Sequence, residues 1–191
     1  RPINSSRKKA SAAALPRRPF GNTGIQLPII GMGGIVVTGA EQSHANHIVA
    51  EFVERGVNYF DVAPQYGDAQ EKLGPALEPY RKNVFLACKT AERTASGAAD
   101  DLKRSLEILR TDYFDLYQLH GVTDVSNDID RAFAKGGAME TLIEAKKSGR
   151  VRHLGFSAHS VEAAFAAMDR FAFDSILFPV NFSTYHAGNF G

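Results

Sequence analysis

The stretch FDVAPQYG, residues 60–67, places a carboxylate and a phenol where an apolar run stops. Asn58, Tyr59 and Phe60 read as a buried strand, and a core strand has no use for Asp61. Tyr66 follows five residues later beside a glycine. The pattern recurs along the chain. Apolar runs deliver Lys89 (LACKT), His120 (YFDLYQLHG), Ser157 (GRVRHLGFS) and Asn181 (FPVN) at their carboxyl ends. Each residue has a structural alternative: Asp61 as a helix cap, Lys89 snorkelling, His120 as a satisfied core histidine. Together the four types Asp, Tyr, Lys and His form a working set. An isolated phenol has a pKa near 10 and is a poor proton donor at neutral pH. An ammonium beside a phenol favours the phenolate, and an aspartate paired with that ammonium holds it in place and charged. An imidazole supplies a second hydrogen bond to an oxygen that becomes negative during reaction. The chemistry that fits is carbonyl reduction, with hydride arriving on carbon while Tyr66 delivers a proton to oxygen. A positioned general acid contributes about 10²–10⁴-fold. Ser157 and His159 stand only two residues apart, which is poor geometry for a hydrolytic triad.

These residues need elements to carry them to one place. RRPFGNTGIQLPII reads as a short hairpin turning through Gly21-Asn22-Thr23-Gly24. Strands are expected to start near residues 29, 58, 83, 113, 151 and 175, and the last to run to 181. Helices are expected over 41–55, 69–80, 96–110, 137–148 and 160–170, with a polar loop over 121–135. The first helix carries Ile48, Val49, Phe52 and Val53 on one stripe, and Gly56 suits its C-terminal stop. Strict alternation of strand and helix-length crossover implies a parallel sheet covered by helices. The spacing suits a β/α barrel as well as an open doubly wound sheet. In a barrel, all those strand ends meet at one mouth.

GVNYFDVAPQYGDAQEKLGPAL, LACKT, YFDLYQLHG and GRVRHLGFSAHS, in that order and spacing, resemble the aldo-keto reductase family. The opening RRPFGNTGIQLPIIGMGG is similar to the hairpin that plugs the bottom of that family's barrel. The likeness runs from about Arg17 to Asn181. It implies an α/β fold, a (β/α)8 TIM barrel with an N-terminal β-hairpin, and an NADPH- or NADH-dependent reductase of small-molecule carbonyls. It also implies the catalytic tetrad Asp61, Tyr66, Lys89 and His120. By the same resemblance the loop GMGG lies near the nicotinamide, which makes Gly33, Gly34 and Ile35 cofactor candidates beside the plain-turn reading. GMGG is no dinucleotide fingerprint, because G-x-G-x-x-G fails at Val36. Ser157 is expected to grip the carboxamide, although Ala158 stands where the family has an amide side chain. Asn181 is the local candidate for a supporting amide.

Composition narrows the field. The 191 residues carry a net charge of +1, with 44% hydrophobic and 23% charged residues, so neither nucleic acid nor an anionic surface is an expected partner. Cys88 is the single cysteine, which excludes disulfides within the chain and Cys-rich metal sites. His44 and His47 lack a third ligand and read as a solvated face, so no metal is expected. No apolar stretch reaches membrane-spanning length. Residues 1–18 read as a flexible basic arm and 19–191 as the barrel domain. SSRKKASAAAL has only a slight similarity to a twin-arginine leader, without the arginine pair. The expected location is cytoplasmic, or periplasmic if the arm is an export remnant. Six strands are expected where the barrel needs eight in about 250 residues. That predicts a barrel interrupted after its sixth strand: a piece of a longer chain, a disordered tail, or a partner over the open edges. The alternative to an enzyme is a catalytically idle barrel serving as a binding or regulatory module.

Overall fold

A computed structural model describes residues 15–179. Strands β1 (Arg17–Pro19) and β2 (Gln26–Pro28) form the antiparallel hairpin, pairing Arg17 with Pro28 and Pro19 with Gln26. The hairpin thus begins inside the stretch expected to be an arm. Six strands then make one parallel sheet: β3 (Met32–Gly33), β4 (Tyr59–Asp61), β5 (Phe85–Thr90), β6 (Phe114–Val122), β7 (Val151–Ala158) and β8 (Ser175–Leu177). Their spatial order is their chain order. A doubly wound sheet reverses direction at a switch point. This one never does, which settles the winding as that of a β/α barrel. Both edge strands, through Met32, Gly33 and Leu177, line one cavity of about 440 Å³ with Tyr59 and Asp61. The sheet therefore curls upon itself.

Helices α1 (Gln42–Glu54), α2 (Ala69–Leu77), α3 (Ala95–Ile108), α4 (Arg131–Phe133), α5 (Ala138–Lys147) and α6 (Val161–Arg170) complete the pattern. Leu73 and Leu77 of α2, Leu102 of α3, Leu142 of α5 and Ala167 of α6 join Leu86, Tyr117, Leu154 and Phe156 of the sheet in one core. Inside the curl a smaller cluster, Phe85, Ala87 and Leu116, receives Phe20, Ile25 and Leu27 of the hairpin. The Phe20 ring meets Phe85 edge-on at 5.4 Å. β5 is buried along its whole length because it has a helix layer on one face and the hairpin and interior on the other.

Several boundaries differ from expectation. The first barrel strand is Met32–Gly33, later than residue 29. The helix expected to reach residue 80 stops at Leu77 and continues as a 3-10 turn, Glu78–Asn83, since Pro79 lacks the N–H that an α-helix needs. The expected polar loop after residue 121 contains a helical turn, Val125–Asp130, running into α4, with Ile129 and Ala132 buried. Asp124 caps it by accepting from the Asn127 N–H at 2.6 Å. The last strand is seen over Ser175–Leu177. Among the described residues no helix is long and apolar enough to cross a membrane.

The sheet's N-terminal end is held by charge. Asp115, 4% exposed, accepts from Arg81 Nη1 at 3.1 Å, Arg152 Nη1 at 2.8 Å and the Leu86 N–H at 2.9 Å. Both guanidinium groups lie over the Tyr113 ring, 4.1 and 4.0 Å from its centroid. Asp115→Asn keeps the shape and one acceptor but removes the charge. It is expected to lower stability by about 1–3 kcal/mol in urea unfolding, with no effect on ligands bound at the opposite end.

Candidate active site

The site occupies the C-terminal end of the sheet, and local geometry explains each placement. Asp61 closes β4, and the chain then turns, with the Tyr66 N–H donating to Ala63 O at 3.0 Å. Thr38 Oγ1 donates to Tyr66 O at 2.8 Å, and Asp68 accepts from the Gly39 N–H at 2.7 Å, so the segment after β3 fixes the tyrosine turn from outside. Gly34 sits where any side chain would strike Asp61 O at 2.8 Å, which makes close backbone approach the reason for glycine there. Lys89, the penultimate residue of β5, points inward and is fully buried. His120 lies on β6 at a register shift between Leu119 and Val122. Gly121, with φ +63°, makes that irregularity possible.

The structure brings four of the expected residues together. Lys89 Nζ is hydrogen-bonded to Asp61 Oδ1 and donates to the Tyr66 hydroxyl at 3.2 Å. It also lies 5.0 Å from the centre of the Tyr66 ring. The Tyr66 and His120 rings meet edge to face at 5.6 Å. Burial raises the Asp61 carboxyl above its ordinary range, opposed by the attraction and hydrogen bond of Lys89. Burial, with the charges of Lys89 and Arg93 and with His159, pulls the His120 imidazole down to about 4, so it is neutral at physiological pH. The result is an amine held between an acid and a phenol, with a neutral imidazole alongside. Such a group can pass a proton from the phenol to an adjacent oxygen and stabilise the phenolate left behind.

The cofactor candidates are placed less tightly. Gly33 pairs with Asp61 across the sheet, and nothing lies within 4 Å of where its side chain would be. Ile35 is 59% exposed, in a 3-10 turn following β3. Ser157, the penultimate residue of β7, accepts from the Gly121 N–H at 2.8 Å, which leaves its own hydroxyl proton to donate. Asn181 lies outside the described residues. His44 and His47 are exposed on α1, and the described residues hold no group of three or more metal-ligating side chains. Cys88 is enclosed between sheet and helices, where burial pushes its thiol up to about 12.

Sequence reasoning missed two supporting groups. Gln65 Oε1 lies 2.8 Å from His120 Nδ1. Arg93, 8% exposed, donates to His120 O at 2.7 Å and pairs with Asp128 at 3.0 Å. Asp128 in turn accepts the Thr123 and Asp124 N–H groups, tying the turn after β6 to the strand carrying the histidine. An arginine four residues after an inward lysine was a visible signal, but its acidic partner is 35 positions away.

Curled parallel sheet, hairpin beneath it and Asp–Lys–Tyr contact at its mouth define a β/α-barrel protein of one family: the chain belongs to the Aldo/keto reductase family, whose model matches residues 29–187. It is 32% identical over 156 residues to the uncharacterized oxidoreductase YqkF of Bacillus subtilis, covering 74% of this chain and 48% of that protein. It is 34% identical over 140 residues to methylglyoxal reductase YeaE of Escherichia coli, covering 70% and 46%. The holo form of aldo-keto reductase AKR11C1 from Bacillus halodurans superposes with a TM-score of 0.77 at 27% identity, covering 87% of this chain and 58% of that one. The chain thus spans about half the length of the curated relatives it matches.

Proposed function

We propose that the protein works as a nicotinamide-dependent reductase of aldehydes or ketones, with Tyr66 as proton donor. The observation that carries this reading is Lys89 buried between Asp61 and the Tyr66 hydroxyl. A buried ammonium costs several kcal/mol to desolvate and is retained where its charge is used. NADPH or NADH, when bound, supplies hydride to the carbonyl carbon. Tyr66 gives its proton to the carbonyl oxygen, and Lys89 stabilises the phenolate that remains. Asp61 holds the ammonium in position, and His120 offers a second hydrogen bond to the reacting oxygen. Ser157, with its hydroxyl proton uncommitted, suits a carboxamide oxygen, and the open ground at Gly33 with apolar Ile35 suits a ring lying over them. Gly34, packed against Asp61 O, lets the turn between Gly33 and Ile35 close on the strand that carries Asp61. The naming of an E. coli relative as a methylglyoxal reductase agrees with a small carbonyl substrate.

Titrating the complete protein into NADPH and following its fluorescence tests this directly. Binding should be saturable, and an added aldehyde should then consume NADPH. Absence of binding would overturn the proposal and favour the idle binding-module reading.

A further inference from the structure

Gln65 stands next to Tyr66 on the same turn, and its amide meets His120 Nδ1 at 2.8 Å. Among the described residues Nε2 has no hydrogen-bond partner, so it is the ring nitrogen left for a ligand. A neutral imidazole carries one proton: one nitrogen donates and the other accepts. With the Gln65 carbonyl facing Nδ1, the proton belongs on Nδ1 and Nε2 keeps a lone pair. That tautomer accepts from an alcohol hydroxyl and cannot donate to a carbonyl oxygen. The last torsion of a glutamine is broad and roughly two-fold, so the amide turns over at little cost. Turned over, its NH₂ donates to Nδ1, and Nε2 takes the proton and donates outward. One proton leaves Nδ1 for water and one reaches Nε2 from water, which the half-buried ring permits.

We propose that Gln65 is a positioning residue acting through His120, its two amide ends selecting which ring nitrogen holds the proton and so matching the imidazole to alcohol or to carbonyl. The proposal rests on the carbonyl-reductase reading for what occupies the site. The surroundings suit an uncharged selector. Lys89 from β5, Arg93 beyond it and His159 after β7 all disfavour a charged ring, and Tyr66 presents its ring edge-to-face. A carboxylate at position 65 would work against this set by favouring imidazolium; an amide leaves the ring neutral in either tautomer.

The test is Gln65→Glu, isosteric but able only to accept, beside Gln65→Leu, in the full chain labelled with ¹⁵N-histidine. In Gln65→Glu the His120 signals are expected to become those of a single Nδ1–H tautomer, and its titration to move up by about one unit, the low end for an opposite charge within hydrogen-bonding reach. Gln65→Leu should lose the tautomer preference without that rise. In turnover, the overall equilibrium requires kcat/KM to fall by the same factor in both directions. The signature is therefore in the split: for Gln65→Glu, carbonyl KM rises several-fold while alcohol KM does not. Ring signals and titration unchanged from wild type in Gln65→Glu would overturn the proposal. Altered ring signals in a protein that reduces no carbonyl would overturn the carbonyl-reductase reading and leave the Gln65–His120 coupling standing.

Discussion

Tyr66→Phe is expected to lower carbonyl reduction by about 10²–10⁴-fold, the range a positioned general acid supplies. The substitution removes one oxygen and leaves the ring where it is. The edge-to-face contact with His120 and the ammonium 5.0 Å from the ring centre both survive it. What disappears is the hydroxyl 3.2 Å from Lys89 Nζ, and with it the proton proposed for the substrate oxygen. NADPH affinity should change little, because the residues proposed to hold it, Ser157 and the Gly33 turn, are untouched. Stability should fall by no more than about 1 kcal/mol, the value of one hydrogen bond. The decisive comparison is single-turnover NADPH oxidation against NADPH binding. Wild-type turnover in the variant would remove Tyr66 from the chemistry.

Lys89→Met has the larger structural consequence. Lys89 is fully buried and Asp61 is 9% exposed, and the second Asp61 oxygen has no partner among the described residues. Taking away the ammonium leaves a buried carboxylate uncompensated, at a cost of about 3–5 kcal/mol. The sign with pH follows. Without its partner, Asp61 binds a proton more readily in the folded chain than in the unfolded one. The variant's deficit should therefore shrink as pH falls toward the unfolded carboxylate value and grow as pH rises. Asp61→Asn added to Lys89→Met should restore most of the stability while carbonyl reduction stays lost. Urea midpoints across pH read out all three proteins. A single variant as stable as wild type at neutral pH would show that the pair is not buried as described.

Much of this was legible because strands and helices announce themselves locally. Predominantly apolar runs end on Lys89 and His120, and the hairpin followed from its Gly-Asn-Thr-Gly turn. The stretch after residue 121 does not read as helical in sequence, since Asp124, Asp128 and Asp130 break up its apolar residues, among them the buried Ile129 and Ala132. Those acids cap and tether rather than solvate: Asp128 alone serves two backbone N–H groups and Arg93. Gln65 gave no signal, because an amide before a tyrosine is ordinary until the histidine beside it is known. The register shift that sets His120 depends on pairing between β6 and β7, which no window along one strand contains.

By itself, the order of residues determined the alternating elements, the apolar stripes that build the core, and the chemical types waiting at each strand end. Tertiary structure decided the rest: that the sheet winds one way, that it curls, and that residues 28 positions apart (Asp61 and Lys89) or 55 apart (Gln65 and His120) touch. The physical reason is that periodicity records which side of an element is dry. Which dry sides close on one another, and what polar groups they carry to the mouth, depends on strand order and twist summed over the whole sheet.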